Sequence, residues 1–301
     1  MKKKKLLSIF MVTIIAAGLL AGCTSKTSEN NDKDAIRIVH KNFTEQRLVG
    51  QLFSVYLESK GFKTTVSELG GTMLCFNALK GGDADLYAEY TGSGYMGILG
   101  ETEILSADAT YDYVKNTFEN DYGITWLKPL GWNNTYILSV TSQTAQDLGL
   151  KTTSDLIPYS GTMVIGCTAE FANRTDGYPG LVEAYPGLSF KKVMSMDQGL
   201  TYEALKNGEL DVNVSFSTDG RIAKFNLVNL EDDAGFFPPY HCVPILKQSF
   251  AKEHPDLVEA LDAIENKWSD NDMQTYNLRV DEGEDARDVA TEMLKDAGLM
   301  D

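Results

Sequence analysis

Two stretches of this chain nearly repeat each other at a fixed offset of 126 positions. Residues 78–94 align without a gap on residues 204–220, and both copies begin Ala-Leu-Lys and end in glycine. Each copy predicts a helix end, a glycine stop, a short strand and an aromatic residue on a polar turn. Loops at the carboxyl ends of strands bind ligands in open α/β sheets. We therefore expect the two aromatic residues, Tyr90 and Phe216, to face each other across a cleft between two lobes, unless the repeat reflects only the similarity of any two helix–strand units.

Residues 1–22 have the pattern of an export signal. Lys2 to Lys5 are basic, Leu6 to Leu20 are apolar, and the segment closes with Leu-Ala-Gly before Cys23. The apolar run is shorter than the about 20 residues that span a bilayer. Its ending resembles the bacterial lipobox, in which the cysteine becomes the lipidated N-terminus. This resemblance implies lipidation of Cys23. The polar residues after it predict that residues 23–34 form a flexible, lipid-anchored tether. We therefore expect a protein anchored at the extracytoplasmic face of the cell membrane.

The charge of the mature chain excludes several partners. Removal of residues 1–22 takes away four of the 27 basic residues and no acid, so 23 basic residues face 43 acidic ones and the net charge is −20. A protein with this negative charge does not bind nucleic acid or an anionic bilayer by bulk electrostatics. A cationic ligand is compatible with it, although the acidity also serves solubility.

Cysteine and histidine give no sign of catalysis or metal binding. Three cysteines follow Cys23, which allows either one disulfide with a free thiol or three buried thiols: Cys75, Cys167 and Cys242. No CxxC spacing occurs, and the three histidines are scattered. Signatures of hydrolases, zinc proteases and nucleotide-binding loops are missing from the sequence. We expect no enzyme, no catalytic residue, no cofactor and no metal.

Strands and helices alternate along most of the chain, which is typical of parallel βαβ units. Strands are predicted at 35–41, 62–68, 83–89, 124–128, 134–140, 163–166, 189–194, 210–216 and 225–230. Helices are predicted from a cap at Thr44 to Gly61, then at 72–80, 109–121, a short helix from Thr153, 178–185, 199–207, 255–267 and 284–297. Residues 170–177 are predicted to be a polar loop, and the chain after Tyr240 is predicted to be helical.

The order of these elements indicates an α/β, bilobed periplasmic-binding-protein fold of type II-like form. At 301 residues the chain has room for about two ordinary domains. Lobe I is predicted to comprise residues 35–136 plus 240–301, and lobe II residues 137–239. The hinge is predicted where the chain crosses twice, near 134–138 and near 238–242.

Several aromatic residues fall at strand ends or on loops rich in Gly, Asn and Pro: Tyr90, Trp132, Tyr136, Phe216, Phe236, Phe237 and Tyr240. Aromatic residues in amphipathic stripes usually belong to a core, whereas rings on such loops are available for ligands. Several rings around one cleft would attract a quaternary ammonium group through cation–π forces.

Six motifs occur in an order that resembles one protein family. They are Lys41-Asn-Phe-Thr-Glu-Gln46, Glu89-Tyr-Thr-Gly92, Asn134-Thr-Tyr136, Glu170-Phe-Ala-Asn-Arg174, Asp219-Gly-Arg-Ile222 and Phe236-Phe-Pro-Pro-Tyr240. The family is that of the substrate-binding lipoproteins of osmoprotectant ABC importers, which take up glycine betaine, carnitine, choline and related compounds. The resemblance covers about residues 35–297.

The resemblance implies a set of ligand-binding residues. In that family four aromatic rings hold the trimethylammonium group, and Tyr90, Tyr136 and Tyr240 match three of them. Phe216 stands at the fourth, where the family usually has Tyr. Lys41 and Arg174 match residues that hold a carboxylate, and Ser93 matches a hydroxyl donor.

Some of these residues could have other structural roles. Arg174 could instead pair with Asp176 on a loop surface, Lys41 could lie along the surface at a helix start, and Trp132 fits hinge packing better than the cage.

The predicted function is that of an extracytoplasmic solute-binding protein of an ABC importer, which closes its lobes around a quaternary ammonium osmoprotectant. Its expected partners are the small ligand and the membrane permease, and we expect a monomer. Two alternatives remain at this stage. One is a binder of a larger betaine such as ergothioneine, and the other is a ligand sensor or enzyme on the same fold.

Overall fold

The computed structural model describes residues 35–300. The predicted export signal, the lipidation site at Cys23 and the tether lie outside the described residues. Between residues 35 and 300 no helix combines the length and apolar character needed to cross a membrane.

The chain first builds one sheet with its flanking helices. Its elements up to the first crossing are β1 (Ile36–Lys41), α1 (Thr44–Ser59), β2 (Thr64–Gly70), α2 (Thr72–Gly81), β3 (Leu86–Tyr90), α3 (Ala107–Tyr122) and β4 (Ile124–Trp126). A π-helical turn, Ser93–Ile98, follows β3. The prediction that Thr44 caps α1 is wrong, because the helix begins at Thr44 itself and the hydroxyl donates to Asp281 at 2.5 Å.

A second sheet follows. Its elements are β5 (Tyr136–Thr141), α4 (Ser142–Leu148), α5 (Ile157–Ser160), β6 (Val164–Cys167), α6 (Ala169–Asn173), α7 (Tyr178–Ala184), β7 (Lys192–Ser195), α8 (Gln198–Lys206), β8 (Val212–Phe216), α9 (Arg221–Lys224) and β9 (Leu227–Leu230). The short helix predicted from Thr153 begins as a 3₁₀ turn, Ser154–Leu156, and continues directly into α5. The polar loop predicted over 170–177 is wrong in its first part. There, the Thr168 hydroxyl accepts from the Phe171 amide and starts helix α6.

The last part of the chain returns to the first sheet. Its elements are β10 (Cys242–Lys247), α10 (Gln248–Glu253), α11 (Pro255–Asp262), α12 (Asp270–Asp281) and α13 (Ala286–Asp296). The prediction of helix alone after Tyr240 is therefore wrong for β10, which pairs with β3 and β4 in antiparallel fashion. Helix α13 packs against α1 and buries Val289 and Met293 there.

The two sheets have matching strand orders. The first is β2-β1-β3-β10-β4 and the second is β7-β6-β8-β5-β9. In each, parallel strands meet one antiparallel strand that the chain adds after a crossing, β10 in the first sheet and β5 in the second. The repeated stretches form α2 with β3 and α8 with β8, and both strands are central in their sheets. The bilobed α/β fold predicted from the sequence is confirmed. We call the parts built on the first and second sheets lobe I and lobe II.

The two chain crossings pair with each other. Asn133 forms an isolated antiparallel bridge with His241. The Asn134 amide donates to the Tyr240 carbonyl at 3.0 Å, and the Leu130 amide donates to the Cys242 carbonyl at 2.9 Å. The two crossings thus form a short paired ribbon between the lobes, at the place where the sequence predicts the hinge.

Candidate functional site

A cavity of about 320 Å³ lies between the lobes, where the carboxyl ends of β1, β3, β6, β7 and β8 converge. This is where open α/β sheets bind ligands. All seven residues that the sequence singled out for the ligand line this cavity: Lys41, Tyr90, Ser93, Tyr136, Arg174, Phe216 and Tyr240.

Strand register brings the rings together. Tyr136 in β5 lies directly opposite Phe216 in β8, and their ring centroids are 5.3 Å apart. Tyr240 precedes β10, whose first residue lies opposite Tyr90. The Tyr240 ring meets the Tyr136 ring edge-on at 5.3 Å. The aromatic wall therefore follows from antiparallel pairing on both sides of the hinge.

Phe43 is a further ring of this wall that the sequence reading did not assign. Its centroid lies 5.1 Å from that of Phe216 and 6.3 Å from that of Tyr90, so it contacts a ring of each lobe. Phe43 lies two residues after the end of β1, and Tyr90 is the last residue of the neighbouring strand β3. The position of both rings at the ends of neighbouring strands is the signal in the sequence that indicates Phe43, whereas the resemblance assigns only Lys41 within this motif.

Two tyrosine hydroxyls hold their rings in place. The Tyr90 hydroxyl donates to Glu45 at 2.7 Å, and the Tyr240 hydroxyl donates to Asp176 at 2.6 Å. Burial raises the pKa of both phenols well above the usual range, and the adjacent carboxylates raise it further. Both groups are therefore neutral donors. Within residues 35–300 the Tyr136 hydroxyl has no hydrogen-bond partner, so this ring is fixed by packing alone.

Lys41 is buried and paired. Its ammonium lies 2.5 Å from a Glu89 carboxylate oxygen, and both side chains are almost fully buried. The same nitrogen lies 5.1 Å from the Tyr90 ring centroid. Glu89 also accepts the Tyr90 amide and the Tyr87 hydroxyl. Lys41 therefore belongs to a satisfied buried ion pair behind the cage rather than to the surface at a helix start.

Arg174 reaches from lobe II into lobe I. Its Nε and one terminal nitrogen donate a bidentate pair of hydrogen bonds to the buried Asp176 carboxylate. The other terminal nitrogen lies 3.3 Å from the Thr72 hydroxyl and 3.4 Å from the Ser93 hydroxyl. A Cβ on Gly97 would stand 2.7 Å from the guanidinium carbon, so this approach requires glycine there. The pair with Asp176 that the sequence allowed on a loop surface is present, but it is buried at the cavity.

Carboxylates outnumber cations around the cavity. Lys41 and Arg174 face four acidic side chains that bind them or the cage rings: Glu45, Glu89, Glu170 and Asp176. Glu170 accepts the Thr72 amide across the cleft at 3.2 Å and pairs with Arg174 at 3.1 Å. Burial opposes its charge, yet Lys41 and Arg174 lower its pKa. The charged side chains around the cavity therefore include more acidic than basic groups.

A close approach also fixes the Tyr240 ring. A Cβ on Gly92 would stand 2.7 Å from a Tyr240 ring carbon and 2.9 Å from the Pro239 carbonyl oxygen. Because the turn after β3 carries glycine at this position, the ring from the second crossing can pack directly on it.

The other conspicuous residues lie elsewhere. Trp132 is fully buried in the hinge and donates its indole N–H to Glu45 at 2.9 Å, which agrees with hinge packing. The three cysteines of the described chain are free and buried, so the alternative with a disulfide is excluded. Burial raises the pKa of Cys75 to about 12 and that of Cys167 to about 11. From residue 35 to 300 no cluster of His, Cys, Asp and Glu could hold a metal ion.

Comparison with known proteins identifies relatives over nearly the whole chain. Residues 34–296 match the family model described as the substrate binding domain of ABC-type glycine betaine transport system. The chain is 35% identical over 284 residues to the carnitine transport binding protein OpuCC of Listeria monocytogenes, covering 93% of this chain and 92% of that protein. It is 35% identical over 280 residues to a glycine-betaine-binding protein of Pseudomonas aeruginosa, covering 89% of each.

A solved structure gives the same result for the fold. The crystal structure of a glycine betaine/carnitine/choline ABC transporter protein superposes with a TM-score of 0.73 at 32% identity. The match covers 88% of this chain and 100% of that one.

Proposed function

Because the chain belongs to the family of substrate-binding domains of ABC-type glycine betaine transport systems, we propose that its cavity captures a small quaternary ammonium compound for import. Glycine betaine, carnitine and choline are the candidates. The resemblance inferred from the six motifs is confirmed by this family membership. The chain is a transport substrate-binding protein, not an enzyme.

The observation that carries the proposal is a chain of rings beside an excess of carboxylates. Phe43, Tyr90, Tyr136, Phe216 and Tyr240 are linked by centroid distances of 5.1–6.3 Å. Ring faces attract a cation most strongly where water is excluded. Because the acidic side chains outnumber Lys41 and Arg174, the site favours a ligand with a positive end.

We assign the other end of the ligand to the Arg174 side of the cavity. Asp176 already occupies one edge of the guanidinium, and the remaining nitrogen lies against Glu170 as well as the hydroxyls of Thr72 and Ser93. A ligand carboxylate or hydroxyl would bind there, with Ser93 as a second donor. Lys41 contributes at longer range, because its ammonium is committed to Glu89.

The cavity size supports a small ligand. Its volume of about 320 Å³ lies at the lower end of the roughly 300–1,000 Å³ found for small-molecule sites. A compact betaine or choline fits this volume better than a larger betaine such as ergothioneine.

Lobe closure is the proposed mechanism. Several contacts exist only when the lobes meet, among them the bonds from Arg174 to Thr72 and from Tyr240 to Asp176. A ligand that binds rings of both lobes favours this closed arrangement over an open one. We propose lobe boundaries at 35–136 with 240–301 for lobe I and at 137–239 for lobe II, with Tyr136, the first residue of β5, at the crossing itself.

Family membership also gives the cellular context. The chain is the extracytoplasmic component of an ABC importer and pairs with permease subunits. We further propose that it acts as a monomer, that residues 1–22 are removed, and that lipidation of Cys23 anchors it. Anchoring would raise its effective concentration near the permease.

Titration calorimetry with glycine betaine, carnitine, choline and ergothioneine tests the proposal. We expect saturable binding of at least one of the first three, and mass spectrometry should recover that ligand unchanged. Binding of ergothioneine alone would favour the larger ligand, and chemical conversion of the ligand would favour an enzyme.

A further inference from the structure

Glu45 is a buried carboxylate that accepts an unusually large number of hydrogen bonds. It lies in the first turn of α1 and its side chain is fully enclosed. Five donors converge on its two oxygens: Tyr90, Trp132, Asn134, Thr218 and Asn277. Buried carboxylates persist only when hydrogen bonds replace water, and here every donor belongs to another part of the chain.

The two oxygens serve different parts of the molecule. Oε1 accepts hydrogen bonds from the Tyr90 hydroxyl at 2.7 Å, the Trp132 indole N–H at 2.9 Å and the side-chain amide of Asn134 at 3.0 Å. These donors belong to the end of β3 and to the first hinge crossing. Oε1 therefore fixes one cage ring relative to the hinge.

Oε2 joins the lobes. It accepts the Thr218 hydroxyl at 2.5 Å, from the loop after β8 in lobe II, and the Asn277 amide at 3.0 Å, from α12. The Asn277 amide also donates to the Thr218 carbonyl. Farther along, Arg221 in lobe II pairs with Asp281 of α12 at 3.2 Å. One carboxylate thus connects Tyr90, the hinge and the loop that follows Phe216.

Glu45 does not line the ligand cavity, whereas its partner Tyr90 does. Burial raises the pKa of Glu45, and the donors from Thr218 and Tyr90 counteract that rise. Hydrogen bonds to a charged acceptor are stronger than neutral ones. Such bonds would hold Tyr90 and Thr218 in place more firmly than packing alone.

We propose that Glu45 is the positioning residue of the ligand site, which holds the Tyr90 ring in the cage and couples that ring to lobe closure through Thr218. This role rests on the proposed function. Because Glu45 acts through other residues, it sets the strength of binding for every cage ligand and not the choice among ligands.

Four variants test this role: Glu45→Gln, Tyr90→Phe, Thr218→Val and the double variant Glu45→Gln/Tyr90→Phe. Calorimetry with the ligand panel should give about tenfold weaker binding for Glu45→Gln, with the same factor for every ligand that the wild type binds. The double variant should lose no more affinity than the weaker-binding single variant, because both changes remove the same hydrogen bond between Tyr90 and Glu45. Glu58→Gln is the matched control, since Glu58 lies on the same helix and pairs with Arg287 at the surface.

A spectroscopic measurement separates positioning from general stability. The indole N–H resonance of Trp132, observed by NMR in the unliganded protein, should move when the charged acceptor becomes neutral in Glu45→Gln. Small-angle scattering of the liganded protein should show a smaller closed fraction for Glu45→Gln and Thr218→Val than for the control.

Three results would overturn the role. They are wild-type affinity in folded Glu45→Gln, affinity losses that differ from ligand to ligand, or an unmoved Trp132 resonance. If the wild type bound no ligand of the panel, the proposed function would fail. The resonance of Trp132 would still report on the position of Glu45.

Discussion

Removing single hydroxyls from the cage distinguishes rings that are held by buried carboxylates from a ring held by packing. The matched pair is Tyr240→Phe and Tyr136→Phe, because the two rings touch each other edge-on at 5.3 Å. The Tyr240 hydroxyl donates to the fully buried Asp176 at 2.6 Å. The Tyr136 hydroxyl has no such partner in the described part of the chain.

The expected magnitude follows from what the bond joins. Tyr240 belongs to the second hinge crossing and Asp176 to lobe II, so the bond forms when the lobes close. A hydrogen bond to a charged group contributes about 1.5–3 kcal/mol, which corresponds to about tenfold to a hundredfold in Kd. Tyr240→Phe should weaken ligand binding by that factor, whereas Tyr136→Phe should cost less than about 0.5 kcal/mol because its ring face remains.

Calorimetry of both variants with the same ligand measures these effects. Thermal unfolding of the unliganded proteins is the control, since a bond made only on closure should leave Tm nearly unchanged. Equal losses of affinity in the two variants would refute the reasoning, because the hydroxyl of Tyr136 would then contribute as much as one bonded to a carboxylate.

Three further changes follow from the same contacts. Phe43→Leu should weaken binding by about 0.5–2 kcal/mol in calorimetry, because a desolvated cation loses one ring face; unchanged affinity would remove this ring from the cage. Gly92→Ala should weaken binding at least about fivefold through the clash with the adjacent tyrosine ring, while Gly81→Ala, whose Cβ meets nothing closer than 3.7 Å, should bind normally. In the Cys23→Ser protein at pH 8 the native thiols should resist alkylation, because burial raises the pKa of Cys75 to about 12 and that of Cys167 to about 11; rapid labelling of either would contradict their burial.

The sequence predicted the parts of the fold where periodicity and internal similarity agree. The offset between the repeated stretches equals the offset between the first residues of α2 and α8 and the offset between β3 and β8. Strand β10 escaped prediction because Pro244 lies within it, and proline normally excludes a segment from a sheet interior. Helix α12 escaped because it buries only Met273 and Asn277, so it lacks an apolar stripe.

The sequence predicted those residues of the candidate site whose type and position are defined by a motif. All seven proposed ligand residues line one cavity, yet the bonds that hold them came only from the structure. An acidic residue in the first helical turn, such as Glu45, ordinarily complements the helix dipole. Nothing in its local sequence indicates that Thr218 and Asn277, more than 170 positions away, meet it in the folded chain.

Binding of a charged ligand compared with its neutral isostere tests the central claim most directly. Glycine betaine and choline would each be titrated beside an isostere in which carbon replaces the quaternary nitrogen, so that shape is kept and charge is lost. If the aromatic cage and its surrounding carboxylates recognise a cation, at least one charged ligand should bind at least about tenfold more tightly than its isostere. Equal affinity within each pair would contradict the account, because the cavity would then select shape alone.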